Sequence, residues 1–164
     1  MARNNPMGPT RCSVIIPSYA RADTIRRCLA AVARQTRPAD EVLVVMREGD
    51  QATAGVVCEW MRDLPLRAVL VREPGLVAAS NRGLEEAQGD ILAFLDDDTE
   101  PWPDWLERIE RHFLDQPALG GLGGRDWLYA DEVLREGPAK IVGRVQWYGR
   151  RVGNHHLGVG PARE

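Results

Sequence analysis

Three consecutive aspartates, Asp96, Asp97 and Asp98, follow a mostly apolar run at residues 91–95. An apolar run of this length reads as a buried strand, so three mutually repelling carboxylates stand at a strand's end. Such a cluster is costly unless something neutralises it. A divalent cation does so, because hard cations prefer oxygen ligands and keep open positions that phosphate oxygens can fill. The residues therefore point to a Mg²⁺ or Mn²⁺ site holding a phosphate-bearing ligand. A solvated acidic loop, or caps for a following helix, would use the same triplet. The buried strand before it, and two other strand ends that carry polar residues, favour the cation.

Those strand ends come from the surrounding pattern. Residues 11–19 give a short apolar strand, stopped by Pro17. A helix is expected over residues 22–35, with Ile25, Cys28, Leu29 and Val32 on one face. Residues 41–46 form a continuous apolar strand, suited to a sheet covered on both sides. Asp50 is placed to cap a second helix whose apolar face is Val56, Val57, Trp60, Met61 and Leu64. A third strand follows at residues 67–71. After Pro74 and Gly75, a helix over residues 76–88 is expected to turn Val77, Leu84 and Ala87 inward and to end at Gly89. Residues 91–95 are the fourth strand. Pro103 suits the first turn of a helix reaching residue 114, with Trp105, Ile109 and Phe113 as its apolar stripe.

Alternating strands and helices predict an α/β domain with a mainly parallel sheet and right-handed crossovers. Ligands of such sheets bind at the carboxyl ends of the strands. Pro17, Ser18 and Tyr19, then Arg47, Glu48 and Gly49, then the three aspartates all lie at such ends. After residue 124 the pattern dissolves. Residues 120–126 suggest a strand between tight turns, and residues 125–164 a hairpin with long loops.

Bulk properties narrow the classes. At 164 residues, 44% hydrophobic and 27% charged, the chain has the composition of one soluble globular domain. A net charge of -3 gives no electrostatic sign of nucleic-acid binding. Lys140 is the only lysine, so arginine supplies the cations, and arginine forks well onto phosphates. Cys12, Cys28 and Cys58 are odd in number and widely spaced, which indicates core fillers rather than disulfides or a zinc site. No apolar run approaches a membrane span, and residues 1–10 read as a loose polar tail. The expected location is cytoplasmic, compatible with a peripheral place on the inner face of the membrane.

Two segments carry a family resemblance. "SVIIPSYARADTIRRCLAAVARQTRPADEVLVV" resembles the start of a family 2 glycosyltransferase of the GT-A, Rossmann-like fold. "GLVAASNRGLEEAQGDILAFLDDDTEPWPDWLE" resembles that family's central part, and the two motifs stand in the family's order. The resemblance covers residues 13–124, about two thirds of the chain. It implies a donor domain at residues 11–124 that binds a UDP-, GDP- or dTDP-sugar with Mn²⁺ or Mg²⁺. Pro17, Ser18 and Tyr19 would line the nucleotide pocket beside Arg21, joined by Arg47 and Asn81. Asp96 and Asp98 match the family's Asp-x-Asp pair, with Asp98 as main metal ligand and Asp97 or Asp96 reaching the ribose. Gly123, Gly124, Arg125 and Asp126 would back the sugar and acceptor region.

The chain also departs from the family pattern. Arg47, Glu48, Gly49 and Asp50 replace an acidic turn that reads the base in many relatives, and Ser80 replaces an arginine before Asn81. The resemblance further implies an acceptor-binding half and a general base beyond residue 164, so the chain is expected to be incomplete at its C-terminus. Asp126, Asp131 and Glu132 are read as solvated acids rather than that base. The full enzyme would transfer the sugar, with inversion, to a hydroxyl of a glycan, lipid or small molecule.

His155 and His156 are adjacent and diverge on extended backbone, which argues against joint chelation. Trp127, Trp147 and Tyr148 would stack on a sugar or form an apolar patch that favours self-association, and Arg144, Arg150 and Arg151 a solvated basic loop. Two other functions fit parts of the chain. A haloacid-dehalogenase-type phosphatase would use Asp96 as nucleophile in "DDDT", though that motif normally ends a first strand. A non-catalytic nucleotide-binding module would bind without turnover.

Overall fold

The computed structural model describes residues 10–124, 128–130 and 133–135, and the chain divides into two compact units between Pro117 and Ala118. The described residues of the first unit alternate strand and helix throughout. They run β1 Cys12–Ser18, α1 Ala22–Ala33, β2 Glu41–Arg47, α2 Gln51–Trp60, β3 Leu66–Val71, α3 Leu76–Glu86, β4 Ile91–Phe94 and α4 Trp105–Asp115. The strands form one sheet in the order β3-β2-β1-β4, and every pairing is parallel. This is the α/β architecture expected from the alternation. In the second unit, β5 Leu128–Ala130 pairs antiparallel with β6 Val133–Arg135.

The period of two in a strand splits the core into two layers. Val14, Ile16, Val42 and Val44 face one side and pack with Ile25, Leu29, Val56 and Leu106 from α1, α2 and α4. Ile15, Leu43, Val45 and Val69 face the other side and pack with Ala79 of α3. Both faces of β1 and β2 are therefore covered, which is why these strands read as unbroken apolar runs.

Pro17 does not stop β1; it pairs with Val45 inside the strand. The β1–β4 ladder spans only Cys12 to Ile15, and the last bond runs from the Leu95 amide to the Ile15 carbonyl at 3.0 Å. With a period of two, Pro17 turns its nitrogen toward β4, where pairing has already ended. The missing N–H thus costs no ladder bond. β1 and β4 part at this point.

Helix α3 corrects the expected inward face. Val77 and Leu84 are exposed, while Ala79 and Gly83 are buried. A Cβ on Gly83 would collide with the Ile15 side chain and come within 3.0 Å of Val45 Cγ2. The helix lies so close to the sheet that only small residues fit beneath it. Gly89 does not end α3, which stops at Glu86; a Cβ there would meet the Ser13 amide nitrogen at 2.7 Å. Its role is close backbone approach.

Other expectations shift by smaller amounts. Met61 lies beyond α2 and is exposed, whereas Leu64 is buried after the helix. Pro103 precedes α4, and Leu106 is that helix's fully buried residue, with Trp105, Ile109 and Phe113 only partly buried. Gln35 stands in for a cap there, accepting from the Leu106 amide at 3.0 Å and donating to the Trp102 carbonyl at 2.8 Å. Residues 120–124 form no strand. Burial pushes the Cys12 thiol up to about 11 and the Cys28 thiol up to about 12, as befits core fillers; Cys58 is exposed instead. Among the described residues no helix is long and apolar enough to cross a membrane.

The amino-end rim of the sheet is tied by a nearly buried carboxylate. Glu41 accepts from Ser13 Oγ at 2.6 Å, from the Gln88 amide at 3.0 Å and from Arg67 at 3.2 Å. Arg67 also bonds the Glu86 carboxylate at 2.7 Å and the Glu86 carbonyl at 2.8 Å, holding the end of α3. Burial pushes the Glu41 carboxyl up, but these donors outweigh it and hold it below its usual value. The resulting stability is present above the ordinary carboxylate range, about pH 4 to 4.5, and is lost as pH falls through the lowered value. Urea unfolding at stepped pH should show wild type losing stability below pH ~4.5 more steeply than Glu41→Gln. Equal slopes would mean that Glu41 contributes nothing to the acid transition.

Candidate functional site

Where β1 and β4 part, a cleft of about 520 Å³ opens at the carboxyl ends of the strands. The strand order reverses here, β1 leading outward to β2 and β3 on one side and β4 lying on the other. This is the switch point at which open α/β sheets bind ligands. Pro17, Ser18, Tyr19 and Arg21 reach the cleft from β1 and the loop after it, Arg47 from β2, and all three aspartates from beyond β4.

The aspartates alternate in exposure. Asp97 is 6% exposed and turned inward, while Asp96 and Asp98 are exposed. Asp97 accepts from Ser18 Oγ at 2.7 Å through Oδ2 and from Arg21 Nη1 at 3.1 Å through Oδ1. It thereby ties the loop after β4 to the end of β1. The same Arg21 nitrogen donates to Asp98 Oδ2 at 3.1 Å. The nearby Asp97 and Asp98 charges, Asp97 foremost, raise the Arg21 guanidinium above its ordinary value. The Asp96 carbonyl accepts from Thr99 Oγ1 at 2.8 Å and closes the acidic turn.

Neighbouring loops are held in register by Asp50. It caps α2 by accepting from the Thr53 amide at 3.1 Å, as its position predicts. It also accepts from the Ala20 amide at 2.7 Å, and Ala20 has φ 54°, an uncommon backbone for alanine. Burial works against the Asp50 charge, yet the donated bonds keep its carboxyl below the usual range. The bond fixes Tyr19 and Arg21 on either side of Ala20. Arg47 lies 5.5 Å above the Tyr19 ring, a cation–π contact within the cleft. Glu48 turns away to Arg72 at 2.9 Å.

Of the residues expected at the site, Pro17, Ser18, Tyr19, Arg21, Arg47, Asp96, Asp97 and Asp98 line this one cleft. Asn81 is exposed on α3 and does not line it. Gly123 and Gly124 are exposed and lie in the second unit. Arg125, Asp126, Trp127, Asp131, Glu132, Lys140, Arg144, Trp147, Tyr148, Arg150, Arg151, His155 and His156 fall outside the described residues. The end of β3, the loop after it and the first turn of α3 supply a wall that the sequence did not single out: Val71, Glu73, Pro74, Gly75, Leu76 and Ala79. Its signal was present, since Pro74 and Gly75 follow a third strand end at the same rim. Gly75, at φ 110°, starts α3 with no side-chain cap.

Four carboxylates and two guanidiniums line the cleft, so its walls are net negative. Among the described residues no three acids, histidines or cysteines group closely enough to cage an ion. The donors nevertheless suit Mg²⁺ or Mn²⁺, which take one or two carboxylates and fill the remaining positions with water and phosphate oxygens. Asp96 and Asp98 are exposed hard-oxygen donors two residues apart on one wall and fit that role.

A parallel α/β sheet with a polar cleft at its switch point has the layout of a ligand-binding domain of the doubly wound class. Comparison with known proteins gives the family. The model of glycosyl transferase family 2 matches residues 13–155. The chain belongs to that family. It is 41% identical over 100 residues to the glycosyltransferase AglE of Haloferax volcanii, a match covering 58% of this chain and 33% of AglE. The teichuronic acid biosynthesis glycosyltransferase TuaG of Bacillus subtilis, named as putative, is 34% identical over 121 residues, covering 73% of this chain and 48% of that protein. Among solved structures, the mannosyltransferase PcManGT of Pyrobaculum calidifontis, in complex with GDP-Man and Mn²⁺, superposes with TM-score 0.60 at 30% identity. That match covers 68% of this chain and 34% of the mannosyltransferase. TarS of S. aureus shares the fold, with TM-score 0.62 at 22% identity over 74% of this chain and 38% of that one. The chain thus spans about a third to a half of the length of these relatives.

Proposed function

We propose that this chain is the donor-binding part of an inverting glycosyltransferase, holding a nucleotide-diphosphate sugar in the switch-point cleft together with Mn²⁺ or Mg²⁺. The observation that carries the reading is the charge of the cleft. A diphosphate meeting four carboxylates and two guanidiniums is repelled unless a cation joins it. The mannosyltransferase relative, solved in complex with GDP-Man and Mn²⁺, supports the same combination.

In this reading Asp98 is the main ligand of the cation, with Asp96 beside it. The bound cation would offset the charge that builds on the departing diphosphate. Tyr19 and Arg47 offer a ring face and a guanidinium to the base. Asp97, fixed by Ser18 and Arg21, holds the acidic turn in place and lies within the set that would meet the ribose. Asn81, Gly124, Arg125 and Asp126 complete the proposed nucleotide, sugar and acceptor residues. An acceptor hydroxyl attacks the anomeric carbon and loses its proton to a carboxylate base outside the described residues. Donor binding at residues 11–124 and acceptor contacts from residues 125–164 onward complete the proposed division of labour. Self-association through the aromatic residues of that later segment belongs to the same proposal.

Membership of glycosyl transferase family 2 leaves the phosphatase alternative without support, and Asp96 follows the fourth strand rather than the first. The test is calorimetric titration of the chain with UDP, GDP and dTDP, each with and without Mn²⁺. Metal-dependent binding of one of them is expected. Binding that ignores Mn²⁺ would favour a metal-free nucleotide module, and binding of none would defeat the donor-site reading for this chain.

A further inference from the structure

We propose that Arg21 is the resident counter-cation of the acidic turn, which Asp98 exchanges for the divalent cation while Arg21 stays anchored on Asp97 and turns its open edge to the diphosphate. The inference rests on the donor-site reading above and adds a coupling between cation and nucleotide.

The hydrogen-bond arithmetic carries it. A guanidinium has five N–H donors, two of them on Nη1. Arg21 Nη1 spends both, one on Asp97 Oδ1 and one on Asp98 Oδ2, each at 3.1 Å. Nε and Nη2 have no partner among the described residues. Those two nitrogens form the edge that grips a phosphate with two parallel bonds.

The two carboxylates are not equivalent. The Asp97 side chain is 7% exposed and is held by Ser18 as well. The Asp98 side chain is 54% exposed, and the Arg21 side chain 55%. An exposed ion pair is screened and weak, whereas taking the partner from a buried carboxylate is costly. Arg21 therefore lets go of Asp98 far more readily than of Asp97. Its backbone stays put meanwhile, because the Arg21 carbonyl accepts from Thr24 Oγ1 at 2.9 Å and from the Ile25 amide at 3.0 Å at the start of α1. Only the side chain needs to move.

Coupling follows. A cation arriving alone at Asp98 must displace Arg21 and gives the freed charge no new partner. A cation arriving with a diphosphate gives the open edge two phosphate oxygens. Each ligand then raises the affinity of the other by the same factor.

The test compares wild type, Arg21→Ala and Arg21→Lys in the full chain, using Mn²⁺ alone, GDP alone and both. Free Mn²⁺ is followed by electron paramagnetic resonance and nucleotide by calorimetry; UDP replaces GDP if UDP is the better ligand. Arg21→Ala should bind Mn²⁺ alone about twofold to fivefold more tightly, since an exposed competitor is gone. The same variant should bind GDP in saturating Mn²⁺ about tenfold to a hundredfold more weakly, through loss of charged hydrogen bonds. Arg21→Lys keeps a charge without the fork, so it should resemble wild type toward Mn²⁺ and the alanine variant toward nucleotide. A role limited to structure would not move the two affinities in opposite directions. Unchanged or weaker Mn²⁺ binding by Arg21→Ala overturns the exchange. Wild type that binds Mn²⁺ but no nucleotide overturns the donor-site reading and the diphosphate contact, while the Mn²⁺ comparison still decides the exchange at Asp98.

Discussion

Asp98→Ala is expected to lose the metal-dependent part of nucleotide binding. Removing one partner of a charged contact in a binding site costs about 2–4 kcal/mol, a loss of ~30- to ~1000-fold in affinity. The fold should be untouched, because the Asp98 side chain is half exposed and its hydrogen bond comes from Arg21, which Asp97 also holds. Asp97 keeps both Ser18 and Arg21, so the acidic turn retains its shape. Without Mn²⁺ the variant should bind nucleotide no worse than wild type, since one repelling carboxylate has gone. The measurement is nucleotide affinity with and without Mn²⁺, alongside far-UV circular dichroism to check folding. Undiminished Mn²⁺-dependent binding in a folded variant would remove Asp98 from the metal site.

Gly83→Val should destabilise the protein by about 3 kcal/mol, the upper part of the range for overpacking a tight core. Glycine in a helix normally costs stability relative to alanine, so a larger residue ought to help. Position 83 reverses that sign. Its Cβ would drive into Ile15, and its branches toward Val45, both fully buried at the centre of the sheet. Neither can retreat without moving the opposite layer. Helix α3 must then lift, and its first turn borders the cleft through Gly75, Leu76 and Ala79. Nucleotide affinity should fall along with the urea midpoint. Gly55→Ala on α2 is the control: nothing lies within 4 Å of a Cβ there. That change should stabilise by up to about 1 kcal/mol. Equal behaviour of the two substitutions would mean that α3 does not ride on Gly83.

β1 and β2 were legible because burial on both faces forces unbroken apolar runs, and the helices and edge strands because they alternate with them between turn residues. Asp50 was legible as a cap because capping is local chemistry. What escaped was governed by distance between elements rather than by residue type. Periodicity counts apolar residues and so chose Val77 and Leu84, whereas close helix–sheet contact chose Ala79 and Gly83. Pro17 reads as a stop in isolation; it is tolerated because the neighbouring ladder ends before it, a fact of pairing. Asp97 could not be told from Asp96 and Asp98 by type. Only its place in the turn that the Thr99 amide closes on the Asp96 carbonyl, facing Ser18, sets it apart. The wall made by the end of β3 and the first turn of α3 carries no such signature, because Val71, Leu76 and Ala79 have no reactive groups to advertise it.

Helix α3 has one further consequence. Its last turn is gripped at Glu86 by Arg67, itself held by Glu41, at one rim, and its first turn borders the cleft at the other. Eleven residues of helix separate the two by about 16 Å. Substitutions that far apart, when neither moves the helix itself, add nearly independently. Side chains of the loops around the cleft can thus change without touching the clasp of Arg67 and Glu41, whereas a change beneath the helix, as at Gly83, reaches both rims. Such a separation leaves the loops of the cleft room to vary at little cost to folding.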